Sequence, residues 1–144
     1  MSTQEKSLSS EIWKKITTGY NTIGKQHRIV MAQYKLTTPQ FNVLEILFNS
    51  RAMSLKKISN ELNVTGANIT CVVDNLEKRE LVIRIPSKED RRIINAELTP
   101  KGQEEFQSIF PKYLDLLEES TTNLADNEKN EFIRLCIIKR YIFI

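Results

Sequence analysis

Along the first part of the chain, Ile12, Ile16, Tyr20, Ile23, His27, Val30, Met31 and Tyr34 recur at spacings of three and four. That period marks an amphipathic helix of about seven turns, which is long for a small domain to cover unaided. A second subunit is the expected cover for its apolar face, with an internal core as the alternative. Gly19 and Gly24 weaken such a helix by roughly 1 kcal/mol each relative to alanine, and close packing at a partner helix would rationalise them. Thr38-Pro39 reads as an N-cap with proline at the first helical position, opening a shorter helix with Phe41, Leu44, Leu47 and Phe48 on one face. Ser54 is the expected cap of a third helix that turns Leu55, Ile58 and Leu62 inward, and Asn63 suits a left-handed turn at its end. Thr65 then caps a fourth helix, with Ile69, Val72, Val73 and Leu76 at i, i+3, i+4 and i+7. Two short helices joined by a tight turn predict a helix-turn-helix.

The period then changes. Leu81 to Ile85 and Ile93 to Leu98 are rich in β-branched residues and bracket a polar loop from Pro86 to Arg92, which predicts a hairpin with a basic tip. Helix, turn, helix and basic hairpin is the order of a winged helix-turn-helix. Thr99-Pro100 repeats the cap and proline start and opens a long helix carrying Phe106, Ile109, Phe110, Tyr113, Leu116 and Leu117, with a bend expected at Pro111. Asp126 is the expected cap of a last helix with Phe132, Leu135, Cys136, Ile138, Ile142 and Phe143, whose end, IIKRYIFI, is apolar and basic all round. The fold class is mainly α (α+β), a winged helix-turn-helix with long N- and C-terminal helices. Residues 1–144 form one domain: helix-turn-helix at 54–79, wing at 81–98, and dimerisation helices at 7–35 and 100–144.

Composition narrows the chemistry. The 144 residues are 40% hydrophobic and 27% charged, a globular balance with no run of about 18 apolar residues to span a membrane. The first fifteen residues lack the pattern of a signal peptide, so the expectation is a cytoplasmic protein. Cys71 and Cys136 have no partner spacing, which leaves neither a disulfide framework nor a zinc site. With one histidine, His27, and no phosphate-binding loop, the chain reads as a non-enzyme without metal or cofactor. Net charge is +3, distributed as +3 over residues 1–50, +3 over 51–101 and −3 over 102–144. A basic front and an acidic rear suit a nucleic-acid binder with a separate assembly segment, although solvated surface charge explains them equally well.

The order of elements, the stretch from Asn68 to Val82 with its VDNLEKR, the Asp-x-Arg at Asp90 and Arg92, and LTPKG at 98–102 together resemble the MarR family of bacterial transcription regulators. The resemblance covers nearly the whole chain. It implies a homodimer built from the first and last two helices, each subunit presenting a winged helix to double-stranded DNA with a pseudo-palindromic operator, and a repressor released by ligand or oxidant. The alternative is a winged-helix module for protein interaction that does not bind DNA. The chain departs from the family at Glu80, where glycine is usual after Leu-Glu-Lys-Arg, so a non-glycine residue must take a left-handed helix end. Position 71, often basic or aromatic in the family, is cysteine.

The outward face of the fourth helix carries Ala67, Asn68, Thr70, Cys71 and Asn75, where amides suit adenine edges and a hydroxyl suits either strand. Arg91 and Arg92 stand at the hairpin tip, and a guanidinium fits a narrow minor groove. The resemblance makes Arg92 the inserting residue and Asp90 its orienting carboxylate. Ser54, Lys56, Lys57 and Lys88 are expected phosphate contacts, which position without reading sequence. Family regulators receive small aromatic or phenolic anions in a cleft between the dimer helices and the DNA-binding lobe. That nominates Trp13, Tyr20 and His27 as an aromatic wall and Arg84 as the cation, with core or dimer packing as the alternative for the aromatics. Cys71 and Cys136 are thiols for which an inert role stands beside a redox one.

Overall fold

The computed structural model describes residues 3–138, and the side chains of residues 7–135. Helix α1 (Thr3–Gln33) is followed by α2 (Thr38–Ser50), strand β1 (Ala52–Ser54), α3 (Leu55–Glu61), α4 (Gly66–Lys78), β2 (Val82–Pro86), β3 (Ile94–Leu98), α5 (Pro100–Ser120) and α6 (Asp126–Ile138). The sheet is antiparallel in the order β1-β3-β2, with Met53 opposite Ala96 and Arg84 opposite the same residue on the other side. The expected two-stranded hairpin thus has a third strand. β1 is only three residues long and carries one buried side chain, Met53, too short a run to announce itself by alternation.

The core joins α2, α4, α5 and the sheet through Phe41, Leu44, Leu47, Ile58, Ile69, Val73, Leu76, Leu81, Ala96, Phe106 and Ile109. Phe106 is its aromatic hub, with ring centroids 5.5 Å from Phe41, 4.8 Å from Phe48 and 5.3 Å from Phe110. Such pairs add ~0.5–1.5 kcal/mol each beyond area burial. The stripe of α1 is buried only toward its end: His27 and Met31 are inside, whereas Ile12 and Tyr20 are exposed. On α6, Phe132, Ile133 and Leu135 are exposed as well. The expectations for Cys136, Ile142, Phe143 and the apolar tail fall outside the described side chains.

Several helix ends differ from the sequence reading in instructive ways. The N-cap of α2 is Thr37 rather than Thr38, because Thr37 Oγ1 accepts from Gln40 N at 3.4 Å while Gln40 Oε1 accepts from Thr37 N at 2.9 Å, a reciprocal capping box. Thr38 is released to face His27. Asp126 is the first residue of α6 rather than its cap: the Ala125 carbonyl accepts from Lys129 N at 3.0 Å, and Glu128 accepts from Ala125 N at 2.8 Å. Helix α5 runs on through Pro111, whose position and that of Gln107 one turn earlier are exposed, so water can satisfy the carbonyl that proline leaves unpaired.

Glu80 adopts φ 61° after the end of α4. Its N–H donates to the Glu77 carbonyl at 2.8 Å, and the Leu81 N–H donates to the Leu76 carbonyl at 3.0 Å, the Schellman closure usually built on glycine. The turn is held from outside, since Thr99 Oγ1 donates to the Glu80 carbonyl at 2.6 Å and Thr99 N to the Leu81 carbonyl at 3.1 Å. Gly102, one turn into α5, lies against the same peptide, and a Cβ there would sit 1.9 Å from the Leu81 carbonyl oxygen. Gly102→Ala should therefore destabilise the fold by about 1–3 kcal/mol, despite alanine's better helix propensity. The midpoint of urea unfolding measures this, and an unchanged midpoint would mean that the backbone yields at no cost.

Candidate nucleic-acid interface

The helix-turn-helix is assembled by its caps. Ser54 Oγ accepts from Lys57 N at 3.3 Å to start α3, and Thr65 Oγ1 accepts from Asn68 N at 3.3 Å to start α4. Between them Asn63 takes φ 51°, and Val64 N donates to the Ser59 carbonyl at 3.0 Å. With Ile69, Val72, Val73 and Leu76 buried, α4 must turn its other face out. Ala67, Asn68, Thr70, Cys71 and Asn75 are all exposed there. Thr70 Oγ1 donates to the Gly66 carbonyl at 3.0 Å, which leaves its lone pairs outward, and Asn75 Nδ2 lies 3.8 Å from Cys71 Sγ.

At the hairpin tip Asp90 grips Arg92. Oδ1 accepts from the Arg92 backbone N–H at 3.0 Å and from Nε at 3.1 Å, and Oδ2 accepts from Nη2 at 3.0 Å. The Arg92 side chain is nonetheless 91% exposed. Its hydrogen bonds hold the Asp90 carboxyl below the ordinary carboxylate range, so the pair stays ionised at neutral pH. The donors of the guanidinium that Asp90 leaves free thus face solvent. Arg91 and Lys88 are exposed beside it. Ser54, Lys57 and Lys88 meet on a groove of about 570 Å³ between the start of α3 and the wing, whereas Lys56 is exposed but not part of its lining. The groove also contains Arg51, which the sequence reading passed over. A lone basic residue in a connection carries no periodic signal, and only the fold brings it next to Lys57 and Lys88.

Of the four residues nominated for an effector site, the structure brings two together and places the other two elsewhere. Tyr20 and His27 do line a cleft of about 510 Å³, together with Arg28, Thr38, Asn42 and Tyr113. Trp13, two turns earlier on α1, is 69% exposed and does not line it. Arg84 lies on the same face of β2 as buried Val82, and this alternation turns it onto α4, where it bonds Asp74 and Glu77. Among the described residues, the cleft's lining includes the guanidinium-bearing Arg28. His27 is buried, with Nδ1 3.4 Å from Thr38 Oγ1, its ring edge-on to Phe41 and 5.3 Å from Tyr113, and Nε2 enclosed without a partner among the described residues. Burial, with Arg28 adding to it, lowers the His27 pKa, and burial raises those of Tyr113 and Glu45.

A helix with its side chains is about as wide as the DNA major groove, and α4 offers one whole polar face while the arginine of the wing stands clear to one side. The class so defined is the winged helix-turn-helix DNA-binding proteins. Comparison with known proteins narrows it. The MarR family model matches residues 36–94. The HTH-type transcriptional regulator MhqR of Bacillus subtilis is 32% identical over 124 residues, covering 86% of this chain and 84% of the relative. The HTH-type transcriptional repressor YetL of the same organism is 29% identical over 119 residues, covering 78% and 71%. Among solved structures, the transcriptional regulator BldR from Sulfolobus solfataricus superposes with a TM-score of 0.80 at 26% identity, over 97% of this chain and 99% of that one. A MarR mutant from E. coli complexed with operator DNA does so with a TM-score of 0.80 at 21% identity, over 88% and 91%. The chain belongs to the MarR family and is a DNA-binding transcription regulator, not an enzyme. Among the described residues, no helix is long and apolar enough to cross a membrane.

The lowered His27 pKa has a stability consequence of definite sign. The native state favours neutral imidazole, while the unfolded chain takes up a proton near its ordinary value of 6.5. The contribution of the neutral ring is present above that value and is lost as pH falls below it toward the native pKa. Wild type should lose more stability than His27→Gln between about pH 7.5 and about pH 5.5, read from urea midpoints. Equal losses in both proteins would remove His27 as the source.

Proposed function

We propose that the protein is a homodimeric repressor that acts on an approximately palindromic operator in the cytoplasm. The observation that carries the reading is the joint exposure of the α4 polar face and of an Arg92 already oriented by Asp90. In this reading Ala67, Asn68, Thr70, Cys71 and Asn75 face the major groove, and Arg92 enters the flanking minor groove with Arg91 alongside. Ser54, Lys57, Lys88 and Arg51 meet phosphates. The second copy is the occupant that suits the exposed apolar side chains Leu8, Ile12, Trp13 and Tyr20 on α1, Leu114 on α5, and Phe132, Ile133 and Leu135 on α6. A monomer would leave that apolar surface in water. Trp13 thereby becomes a dimer contact.

Release from DNA follows from the cleft of Tyr20, His27 and Arg28. An aromatic or phenolic anion finds there a ring to stack on, a cation, and a buried imidazole nitrogen in want of a partner. The exposed thiol of Cys71 is the oxidant-sensitive alternative, since added oxygen on the α4 face would obstruct the groove directly.

Arg92→Ala should weaken operator binding by roughly ten- to a hundred-fold per half-site, and Asp90→Ala by less, with the fold intact by circular dichroism. Fluorescence anisotropy against a selected operator measures both; an unchanged affinity for Arg92→Ala would reject the minor-groove role. Asn68→Ala should relax preference at one position of each half-site, whereas Lys57→Ala should weaken all duplexes alike and reduce the salt slope by about one.

Sedimentation velocity at micromolar concentration should give a dimer, and selected half-sites should lie about 34 Å apart. A monomer, or a selection without two-fold symmetry, would overturn the assembly.

A further inference from the structure

Arg84 stands where the wing leaves the body of the protein. Its backbone N–H donates to Glu77 Oε1 at 3.1 Å, and its guanidinium donates to Glu77 Oε2, to Asp74 Oδ1 at 2.6 Å and to the Thr70 carbonyl at 3.3 Å. Thr70, Asp74 and Glu77 occupy successive turns along one side of α4, so a single planar fork spans two turns of the recognition helix. The base of the hairpin rests on the body through Leu81, Val82, Ala96 and the partly buried Leu98 and through the pairing of β3 with β1 as far as Ser54 opposite Asn95, whereas nearer the tip Ile93 and Ile94 are exposed and Arg84 is the side chain that ties β2 to α4.

Geometry makes this anchor matter. The tip lies about five residues beyond Arg84, or about 17 Å at ~3.3 Å per residue, so a rotation of about 10° at the base displaces the tip by ~3 Å. A displacement of that size separates a guanidinium from a minor-groove contact. The ion pairs themselves are partly exposed, with Asp74 at 49% and Glu77 at 34%, which makes them weak contributors to global stability. Their direction, between two elements that meet DNA at different grooves, is what they supply.

We propose that Arg84 is a positioning residue that makes the recognition helix and the wing one rigid reading unit, so that what Arg92 contributes to DNA binding depends on Arg84. The inference rests on the reading that Arg92 contacts DNA. Lysine is the informative substitution, because it keeps the positive charge while losing the fork.

The test combines a double-mutant cycle on operator affinity with amide 15N relaxation of the free protein at residues 86–93. Arg84→Lys should weaken operator binding about tenfold with an unchanged salt slope and melting temperature, and should raise the mobility of the tip amides relative to α4. Added to Arg92→Ala, it should cost less than about twofold more, since the contact it positions is already gone. Asp74→Asn, which keeps an acceptor for the guanidinium, should retain affinity within about threefold. Independent, multiplying effects of Arg84→Lys and Arg92→Ala would overturn the proposal, as would tip relaxation identical to wild type. An inert Arg92→Ala with a tip loosened by Arg84→Lys would instead reject the minor-groove role of Arg92 and leave the clamp standing.

Discussion

The contact between the backbone of Gly102 and the Leu81 carbonyl is the constraint on which the rest of the molecule depends. Four chain ends converge there: the finish of α4, the start of β2, the finish of β3 and the start of α5. The two peptides on either side of Leu81 are held from several directions. Thr99 donates to the carbonyls of Glu80 and Leu81, and Lys101 Nζ donates to the Arg79 carbonyl at 2.8 Å and to Glu80 Oε2 at 3.1 Å. Because so many groups hold the successive carbonyls of Arg79, Glu80 and Leu81, the left-handed Glu80 is kept at a conformation that a free chain would rarely choose. Two of the sequence blocks that carry the resemblance to the family, VDNLEKR and LTPKG, are the two halves of this joint.

Two arginines extend the joint in opposite directions. Arg79, at the end of α4, donates to the Lys35 carbonyl at 2.8 Å, to the Tyr34 carbonyl at 3.4 Å and to Glu105 at 2.6 Å. It thereby fastens the recognition helix to the end of α1 and to α5. Arg84 fastens the same helix to the wing. The cleft of Tyr20, His27 and Arg28 is walled by α1, α2 and α5, and α1 and α5 are the elements whose ends Arg79 ties to α4. Apolar burial supplies the stability of the lobe, and directed charge-assisted hydrogen bonds supply the angles between its parts.

The division between core and surface follows the same logic. Side chains of α2, α4 and the sheet close around Phe41 and Phe106, leaving the polar face of α4 and the wing outside. The early turns of α1 and the described part of α6 keep large apolar side chains in solvent. The chain thus buries its apolar side chains around the winged helix and leaves those of early α1 and of the described part of α6 in solvent.

Much of this was legible before any coordinates. Three helix starts, at Ser54, Thr65 and Thr99, follow from a short hydroxyl side chain placed before an apolar period, because the capping bond is local and spans three residues. The same locality explains the left-handed Asn63 and the outward placement of Asn68, Thr70, Cys71 and Asn75. Where two hydroxyls compete, at Thr37 and Thr38, the choice passed to Gln40 on one side and to His27, eleven residues away, on the other. Strand β1 exists only because β3 offers it an edge. Arg84 carries the same letter and the same charge whether it lines a cleft or clamps a helix. Strand alternation beside a packed α4 decided between them, and the fold alone brought Arg51 to Lys57 and Lys88. The sequence by itself determined what short-range periodicity and capping control. The tertiary structure decided the partners of long, charged side chains, because their reach exceeds any local pattern and their acceptors come from other elements.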